Sequence, residues 1–164
     1  MIEFEKIDLD KIWVKRASNR FSYLSYFGET IEIMTPEMIC EFGIEKEYNN
    51  YLIKLRFDGE DDRISDFYRF VKEFESFLRT KFNKNVKSLL KQKEGFLPSL
   101  IIKIPNKKGN LKVDVYDKDK RLVSPDLIKN NTLLRCLLEI KLVWEDDNRN
   151  LCTCKWSAVE IYLS

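Results

Sequence analysis

Apolar and polar positions alternate most regularly in residues 96–117, FLPSLIIKIPNKKGNLKVDVYD. An apolar residue at every second position places those side chains on one face of a pleated strand. Two such sets occur in this stretch: Leu100, Ile102 and Ile104, and then Leu111, Val113 and Val115. The connection between them has turn chemistry, because Gly109 and Asn110 tolerate positive φ and Pro105 cannot extend a strand ladder. The pattern predicts a β-hairpin with one apolar and one cationic face.

The same period of two recurs in five further segments, each of which we predict to contain a strand. These segments are residues 7–16, 30–35, 51–57, 133–144 and 152–163. Pro36 is expected to end the second of these strands. In the longest segment, alternation from Leu134 places Leu142 and Trp144 on the inner face.

Helical spacing replaces this alternation in the middle of the chain. Residues 64–78 carry an apolar stripe: Ile64, Phe67, Phe70, Val71, Phe74, Phe77 and Leu78. Residues 58–62 are rich in carboxylates, which suit the positive end of a helix dipole. Residues 80–93 keep some helical spacing, but Asn83 and Asn85 argue against a continuous helix, so the extension stays open.

Six or seven strands and one substantial helix, with no repeated βα units, define the expected fold class. We predict a mainly β protein: a small, largely antiparallel β-barrel with an inserted helix. At 164 residues, 44% of them hydrophobic, the chain is most simply a single domain spanning residues 1–164.

Composition narrows the classes of function. The sequence has no apolar run of about eighteen residues and begins with the mixed, acidic MIEFEKIDLD, so we expect an intracellular chain with no membrane partner. Four cysteines without a secretory signal indicate reduced thiols, and Cys152 and Cys154 are expected in the core rather than on a metal. Without histidine, the commonest general base is missing, so we expect neither an enzyme nor a cofactor.

A net charge of +2 conceals a strong separation of charge along the chain. Residues 29–47 contain six glutamates and one lysine. Three blocks are purely basic: Lys11, Lys15, Arg16 and Arg20; Arg79, Lys81, Lys84, Lys87, Lys91 and Lys93; and Lys103, Lys107, Lys108 and Lys112. A basic face on a nearly neutral protein suits a polyanion, although such blocks can also be scattered over a solvated surface.

Short motifs in a fixed order suggest a family. In chain order they are Thr35-Pro36-Glu37-Met38, Phe42-Gly43-Ile44, Phe57-Asp58-Gly59, Pro98, Lys103-Ile104-Pro105, Gly109, Val115-Tyr116-Asp117, Trp144 and Lys155-Trp156. Together they resemble the single-stranded DNA-binding proteins of nucleocytoplasmic large DNA viruses. Those proteins are in turn distantly similar to the replicative single-strand binders of podoviruses.

The resemblance implies an OB-fold, that is, an antiparallel five-stranded Greek-key barrel with one long central helix. It also implies binding of single-stranded DNA in viral replication, recombination and repair. The protein would then act in the host cytoplasm, in a viral replication factory, or in the nucleus. RNA as a ligand, a homodimer and replication proteins as partners are left open.

Binding without sequence preference needs a cationic groove and flat aromatic platforms. The candidate nucleic-acid contacts are Lys11, Trp13, Lys15, Arg16, Tyr23, Tyr26, Lys54, Arg56, Lys103, Lys107, Lys108, Lys112 and Tyr116. Trp13 can either stack on a base or pack partly buried, whereas Trp144 and Trp156 are expected in the core.

Two other functions compete with this one. The acidic segment 29–47 could dock a basic partner, which favours a protein-interaction or structural module of a virion or replication factory. Asp114, Asp117 and Asp119 lie near a turn and could hold a hard cation in an enzyme, although solvated turn carboxylates explain them more simply.

Overall fold

The protein was analysed as a computed structural model that describes residues 1–164. It is mainly β, with one α-helix, α1, at Ile64–Phe82, and short 3₁₀ turns at Phe4–Lys6, Leu9–Lys11 and Pro125–Leu127. In chain order, strands β1 to β17 are Ile12–Arg16, Phe21–Tyr26, Ile31–Met34, Met38–Phe42, Glu45–Glu47, Asn50–Arg56, Asn85–Val86, Leu90–Lys91, Ser99–Ile104, Asn106–Lys107, Asn110–Leu111, Asp114–Tyr116, Leu122–Val123, Asn130–Ile140, Leu142–Asp146, Leu151–Thr153 and Ser157–Leu163. The predicted mainly β class with an inserted helix is confirmed.

Five strands of the larger sheet form a closed circuit of pairings. β4 pairs with β6, β6 with β9, β17 with β14 and β14 with β4, all antiparallel. The circuit closes where β9 runs parallel to β17, with Ser157 opposite Lys103. There the Lys103 backbone N–H donates to the Trp156 carbonyl oxygen at 2.9 Å. β3 and β4 both pair with β14, one after the other. The segment from Ile31 to Phe42 therefore runs along β14 and is interrupted only around buried Pro36.

Helix α1 lies between β6 and β9 in sequence, and its aromatic stripe faces the core. Trp156 is 1% exposed, and its ring centroid lies 6.4 Å from that of Phe67 and 5.4 Å from that of Phe74. The expected burial of Trp156 is therefore confirmed. All four cysteines are also buried, and burial raises the pKa of the Cys40 thiol to about 11.

Polar residues flank the helix at both ends. A carboxylate oxygen of Asp61 accepts the Arg63 backbone N–H at 2.8 Å. This bond satisfies a donor at the helix start, as the carboxylates of residues 58–62 predicted. Asn83 adopts the left-handed conformation (φ 51°) directly after Phe82 and ends the helix. The helix continues only to Phe82, and the rest of the segment 80–93 is not helical, because it contains β7 and β8. No helix of the protein has the length and apolar character needed to cross a membrane.

A second sheet, with strand order β1-β2-β15-β16-β7, was not anticipated as a separate unit. β14 leads into it directly, since only Lys141 separates Ile140 from Leu142. Its inner face packs on the common core through side chains that are all at least 95% buried: Ile12, Leu24, Val143 and Cys152.

Trp144 is a correction to the sequence interpretation, because it is 48% exposed rather than buried. From Leu134 to Ile140 the even-numbered side chains of β14 are buried, but in β15 it is Val143 that is buried. The alternation shifts by one residue at Lys141, where the Leu24 backbone N–H donates to the Lys141 carbonyl at 2.8 Å. The shift turns Trp144 onto the outer face of the second sheet.

The hairpin predicted for residues 96–117 forms only in part. Only its tip pairs, β10 with β11, and the turn uses positive φ at Lys108 (53°) and Gly109 (84°), not at Asn110. The two longer strands, β9 and β12, do not pair with each other, since β9 joins β6 and β12 joins β17. Matching apolar periods could not reveal that other strands compete for these partners.

The contrast between the two tryptophans gives a stability prediction. Trp156→Ala should lower the free energy of unfolding by about 3–5 kcal/mol because it opens a cavity under α1. Trp144→Ala should cost about 1 kcal/mol or less, since the half-exposed ring loses mainly its contact with Phe21. Urea unfolding followed by far-UV circular dichroism measures both; equal losses would contradict the assigned burial.

Candidate nucleic-acid interface

Four lysines from three chain segments line one open groove on the outer surface of the larger sheet. The groove has a volume of about 280 Å³. We name it the lysine groove, after Lys87, Lys91, Lys103 and Lys155. Glu47 is the one carboxylate among its lining residues. The groove therefore concentrates positive charge.

Backbone hydrogen bonds bring these lysines together from distant parts of the sequence. The Lys87 N–H donates to the Cys152 carbonyl at 2.9 Å, which joins the segment after α1 to β16. The Lys103 N–H donates to the Trp156 carbonyl at 2.9 Å, which joins β9 to the residues just after Lys155. The lysines are thus held by strand pairing rather than on free loops.

A carboxylate on α1 fixes the segment that carries Lys87 and Lys91. Glu75 is 8% exposed, and it accepts the Ser88 hydroxyl at 2.7 Å and the Leu89 backbone N–H at 2.9 Å. The Leu89 carbonyl in turn accepts the Ile101 N–H of β9 at 2.9 Å. These bonds hold the segment against both the helix and the larger sheet, so the groove is formed before any ligand binds.

No carboxylate lies within 4.0 Å of the ammonium group of any of the four groove lysines, whereas thirteen other ion pairs occur in the protein. Burial lowers the pKa of Lys155, and the neighbouring charges of Lys103 and Lys87 lower it further. Cations that repel one another without a counter-ion form a site that an anion would stabilise.

Aromatic rings border the groove on the side of the β5–β6 turn. Tyr48 is 91% exposed and has a left-handed backbone (φ 59°), while Tyr51 is half-buried. The β10–β11 tip adjoins this wall, because the Asn106 side-chain amide donates to the Asn49 carbonyl at 3.2 Å. Exposed Lys107 and Lys108 therefore lie at the groove's border.

The outer face of the second sheet carries a cluster of aromatic rings, which we name the aromatic face. It comprises Trp13, Phe21, Tyr23 and Trp144. The ring centroid of Phe21 lies 4.9 Å from that of Trp144 and 5.7 Å from that of Tyr23. Trp13 is 74% exposed on the edge strand β1.

The lysine groove and the aromatic face meet at Thr153. This residue lines the groove and lies directly opposite Trp144 in the β15–β16 pair. Directly opposed residues of antiparallel strands point to the same face of a sheet. The two surfaces are therefore contiguous.

The structure brings some of the candidate contact residues to these surfaces. Lys103 lies in the groove, with Lys107 and Lys108 at its border. Trp13, Lys15 and Tyr23 share the outer face of the second sheet, where Lys15 is opposite Tyr23.

Other candidates lie elsewhere or already have partners. The Arg16 guanidinium lies 3.0 Å from Glu145, and the ammonium of Lys54 lies 3.4 Å from Glu45. Arg56 pairs with Asp58 at 3.5 Å, and Lys11 with Asp8 at 4.0 Å.

The remaining three candidates point away from both surfaces or stand apart from them. The Tyr26 hydroxyl accepts the Asp8 backbone N–H at 3.2 Å, on the face opposite Tyr23. Tyr116 stacks on Tyr162 with ring centroids 5.4 Å apart. Lys112 is exposed beyond the β10–β11 tip.

Asp117, one of the three carboxylates considered as cation ligands, serves a turn instead, whereas Asp114 lies in β12. Asp117 accepts the backbone N–H groups of Asp119 and Arg121, each at 2.9 Å. The hydrogen bond from the Arg121 backbone is the main cause of the lowered Asp117 pKa. No group of three or more cysteine, aspartate or glutamate side chains has the arrangement of a metal site.

Sequence reasoning missed several residues of the two surfaces: Tyr48, Tyr51, Lys87, Lys91, Phe21, Trp144 and Lys155. The uninterrupted basic run that contains Lys87 and Lys91 was a usable signal, but helical spacing there obscured its exposure. Lys155 could have been selected because it alternates with buried Cys154 and Trp156.

The fold resembles that of a phage protein. The chain is similar to a solved structure described as a single-stranded DNA-binding protein from bacteriophage Enc34, C-terminal truncation, with a TM-score of 0.52 and 11% sequence identity. The match covers 94% of this chain and 95% of that one. No protein-family model and no curated protein sequence matches the chain. At this identity the likeness concerns the fold, and the resemblance to large-DNA-virus proteins stays a prediction.

The charge arrangement of the groove predicts a measurable coupling. Lys103→Gln should raise the pKa of Lys155 toward the ordinary lysine value, because it removes a repelling positive charge. The shift should be partial, since burial of Lys155 remains. NMR titration of ¹³C-dimethylated lysines measures it, with Lys118→Gln as control. An unchanged Lys155 pKa in Lys103→Gln would show that the two ammonium groups do not interact.

Proposed function

We propose that this protein binds single-stranded DNA without strong sequence preference, through the lysine groove. The observation that carries the proposal is the convergence of Lys87, Lys103 and Lys155 with no carboxylate paired to any of them. A single strand presents one phosphate charge per nucleotide, and contact with it would relieve the repulsion among these lysines.

The groove also suits the second requirement of single-strand binding. Unpaired bases expose flat faces that stack on aromatic rings, and such stacking is tolerant of sequence. Tyr48 and Tyr51 line the same groove as the lysines. Phosphates and bases of one strand therefore find suitable partners within a single site.

Fold and sequence support the proposal from separate directions. The phage protein of similar fold is described as a single-stranded DNA-binding protein, and its likeness extends over nearly the whole chain. The closed circuit of β4, β6, β9, β17 and β14 has the strand count expected of a five-stranded OB-fold barrel, and we propose that assignment. Such barrels commonly bind oligonucleotides.

The biological setting is proposed from the sequence resemblance alone. We place the protein in viral DNA replication, recombination or repair, in the host cytoplasm, a replication factory or the nucleus. We propose a binding role rather than an enzymatic one, because the sequence has no histidine and the two surfaces offer mainly cations, hydroxyls and aromatic rings, with Glu47 as the one carboxylate that lines the groove. Homodimerisation and contacts with replication proteins belong to the same expectation.

Binding is tested by fluorescence anisotropy of a labelled oligo-dT, about 20 nucleotides long, over a salt series. Wild type should bind, and unlabelled duplex should compete poorly. The double variant Lys103→Gln/Lys155→Gln should bind more weakly, and the slope of log K against log salt should flatten by about 0.7 for each phosphate contact removed.

A charge-matched control separates groove contacts from net charge. Lys118→Gln/Lys120→Gln removes the same charge from an exposed turn outside the groove. It should leave affinity and salt slope nearly unchanged. If both double variants weaken binding equally, the lysine groove is not the site, and failure of wild type to bind at low salt would refute the function.

The competing function is a protein-interaction or structural module on the same fold. Exposed apolar side chains outside the groove favour it: Phe42 is 56% exposed, Leu122 66% and Leu127 51%. That reading predicts no discrimination between oligo-dT and duplex in the same competition assay.

A further inference from the structure

We infer that the second sheet is a separate base-stacking subsite, which extends the site for single-stranded nucleic acid from the lysine groove across the aromatic face. The inference rests on the proposed function. Its ligand is a run of unpaired bases on the same strand whose phosphates occupy the groove.

The chemistry of the aromatic face favours bases over a protein partner. Three rings form a contacting cluster (Tyr23, Phe21 and Trp144), and exposed Trp13 extends it toward the sheet edge. Lys15 lies on the same face, opposite Tyr23, so a cation is available beside the rings. Asp146, two residues beyond Trp144, is paired with Arg149 at 3.7 Å. The face is thus aromatic and cationic.

The aromatic face is continuous with the lysine groove, which indicates that its ligand is the same nucleic-acid strand. Thr153 lines the groove and lies opposite Trp144, and Phe21 lies opposite Trp144 on the other side. From β16 to β1 the path crosses three strand spacings, or about 14 Å, and Trp13, opposite Ser25, lies about four residues or roughly 13 Å further along the strands than Phe21. A strand leaving the groove over Thr153 therefore meets Trp144 first and can continue to Trp13.

The second sheet is braced from behind, which suits a platform. Glu145 follows Trp144, and its side chain points inward with only 4% exposure. Its carboxylate contacts the Lys84 ammonium at 2.6 Å and the Arg16 guanidinium at 3.0 Å. The hydrogen bond to Glu145 is the largest cause of the raised Lys84 pKa. This network joins β1, β15 and the segment after α1, so stacking requires little ordering of the rings.

Intrinsic fluorescence reports directly on this face. Trp13 and Trp144 are exposed, whereas Trp156 is 1% exposed. Stacked bases should quench the first two. Trp156 lines the lysine groove, but it is buried and offers no ring face on which a base could stack. Oligo-dT of about 20 nucleotides should therefore quench wild-type emission, and Trp13→Phe/Trp144→Phe should remove most of that quenching.

Affinity gives the second readout. Trp144→Ala should weaken binding of the 20-nucleotide oligo-dT between about 5-fold and about 150-fold, as expected for loss of one base stack. The salt slope should not change, because no phosphate contact is lost. An oligo-dT of about 4 nucleotides, near the lower limit for an OB-fold, should bind both proteins equally if it occupies only the groove.

Phe27→Ala is the matched control. Phe27 is 70% exposed beside the same sheet, but it follows β2 and packs edge-on against Tyr26, outside the aromatic face. Phe27→Ala should bind oligo-dT as tightly as wild type does. If wild type binds oligo-dT but Trp144→Ala binds equally well and quenching persists in Trp13→Phe/Trp144→Phe, the second subsite is refuted while the proposed function stands. If wild type binds no oligo-dT, both fail.

Discussion

The almost uninterrupted passage of the chain from β14 into β15 is the constraint on which the rest of the structure depends. β14 completes the circuit with β4 and β17, and one residue later the chain enters the second sheet as β15. The shift in alternation at Lys141 decides which side chains face outward there. Without it, Trp144 would point into the core and Val143 into solvent. One backbone irregularity therefore couples the larger sheet to the aromatic face and aligns the face with the groove through Thr153.

Charge pairing separates the cations that support the fold from those that are free for a ligand. Arg16, Lys54 and Lys84 are held by carboxylates, and the acidic segment 29–47 supplies Glu45 to one of these pairs. These pairs are partly buried, and they neutralise the cations that they hold. Lys103 and Lys155 have no such partner. The basic blocks in the sequence therefore divide into two groups with different roles.

Fold class could be predicted from the sequence because periods of two and of 3.6 are local properties. The α1 stripe, the break at Pro36 and the burial of Trp156 follow from such periods. Strand partners could not be predicted. An apolar face on β9 or β12 is compatible with several neighbouring strands, so the alternation does not identify the partner. The exposure of Trp144 was equally hidden: Leu142 and Val143 are both apolar, so either alternation fits. Lys103 was identified because it alternates with buried isoleucines, whereas Lys87 and Lys155 join it only through backbone hydrogen bonds.

The central claim is that unpaired lysines of the groove contact the phosphates of a single strand. Acetylation footprinting with mass spectrometry tests this claim most directly, because the method reports on each lysine separately in the wild-type protein. With saturating oligo-dT, Lys87, Lys103 and Lys155 should become several-fold less reactive, while Lys118 and Lys120 keep their reactivity. Protection spread evenly over all exposed lysines, or confined to lysines outside the groove, would contradict the account.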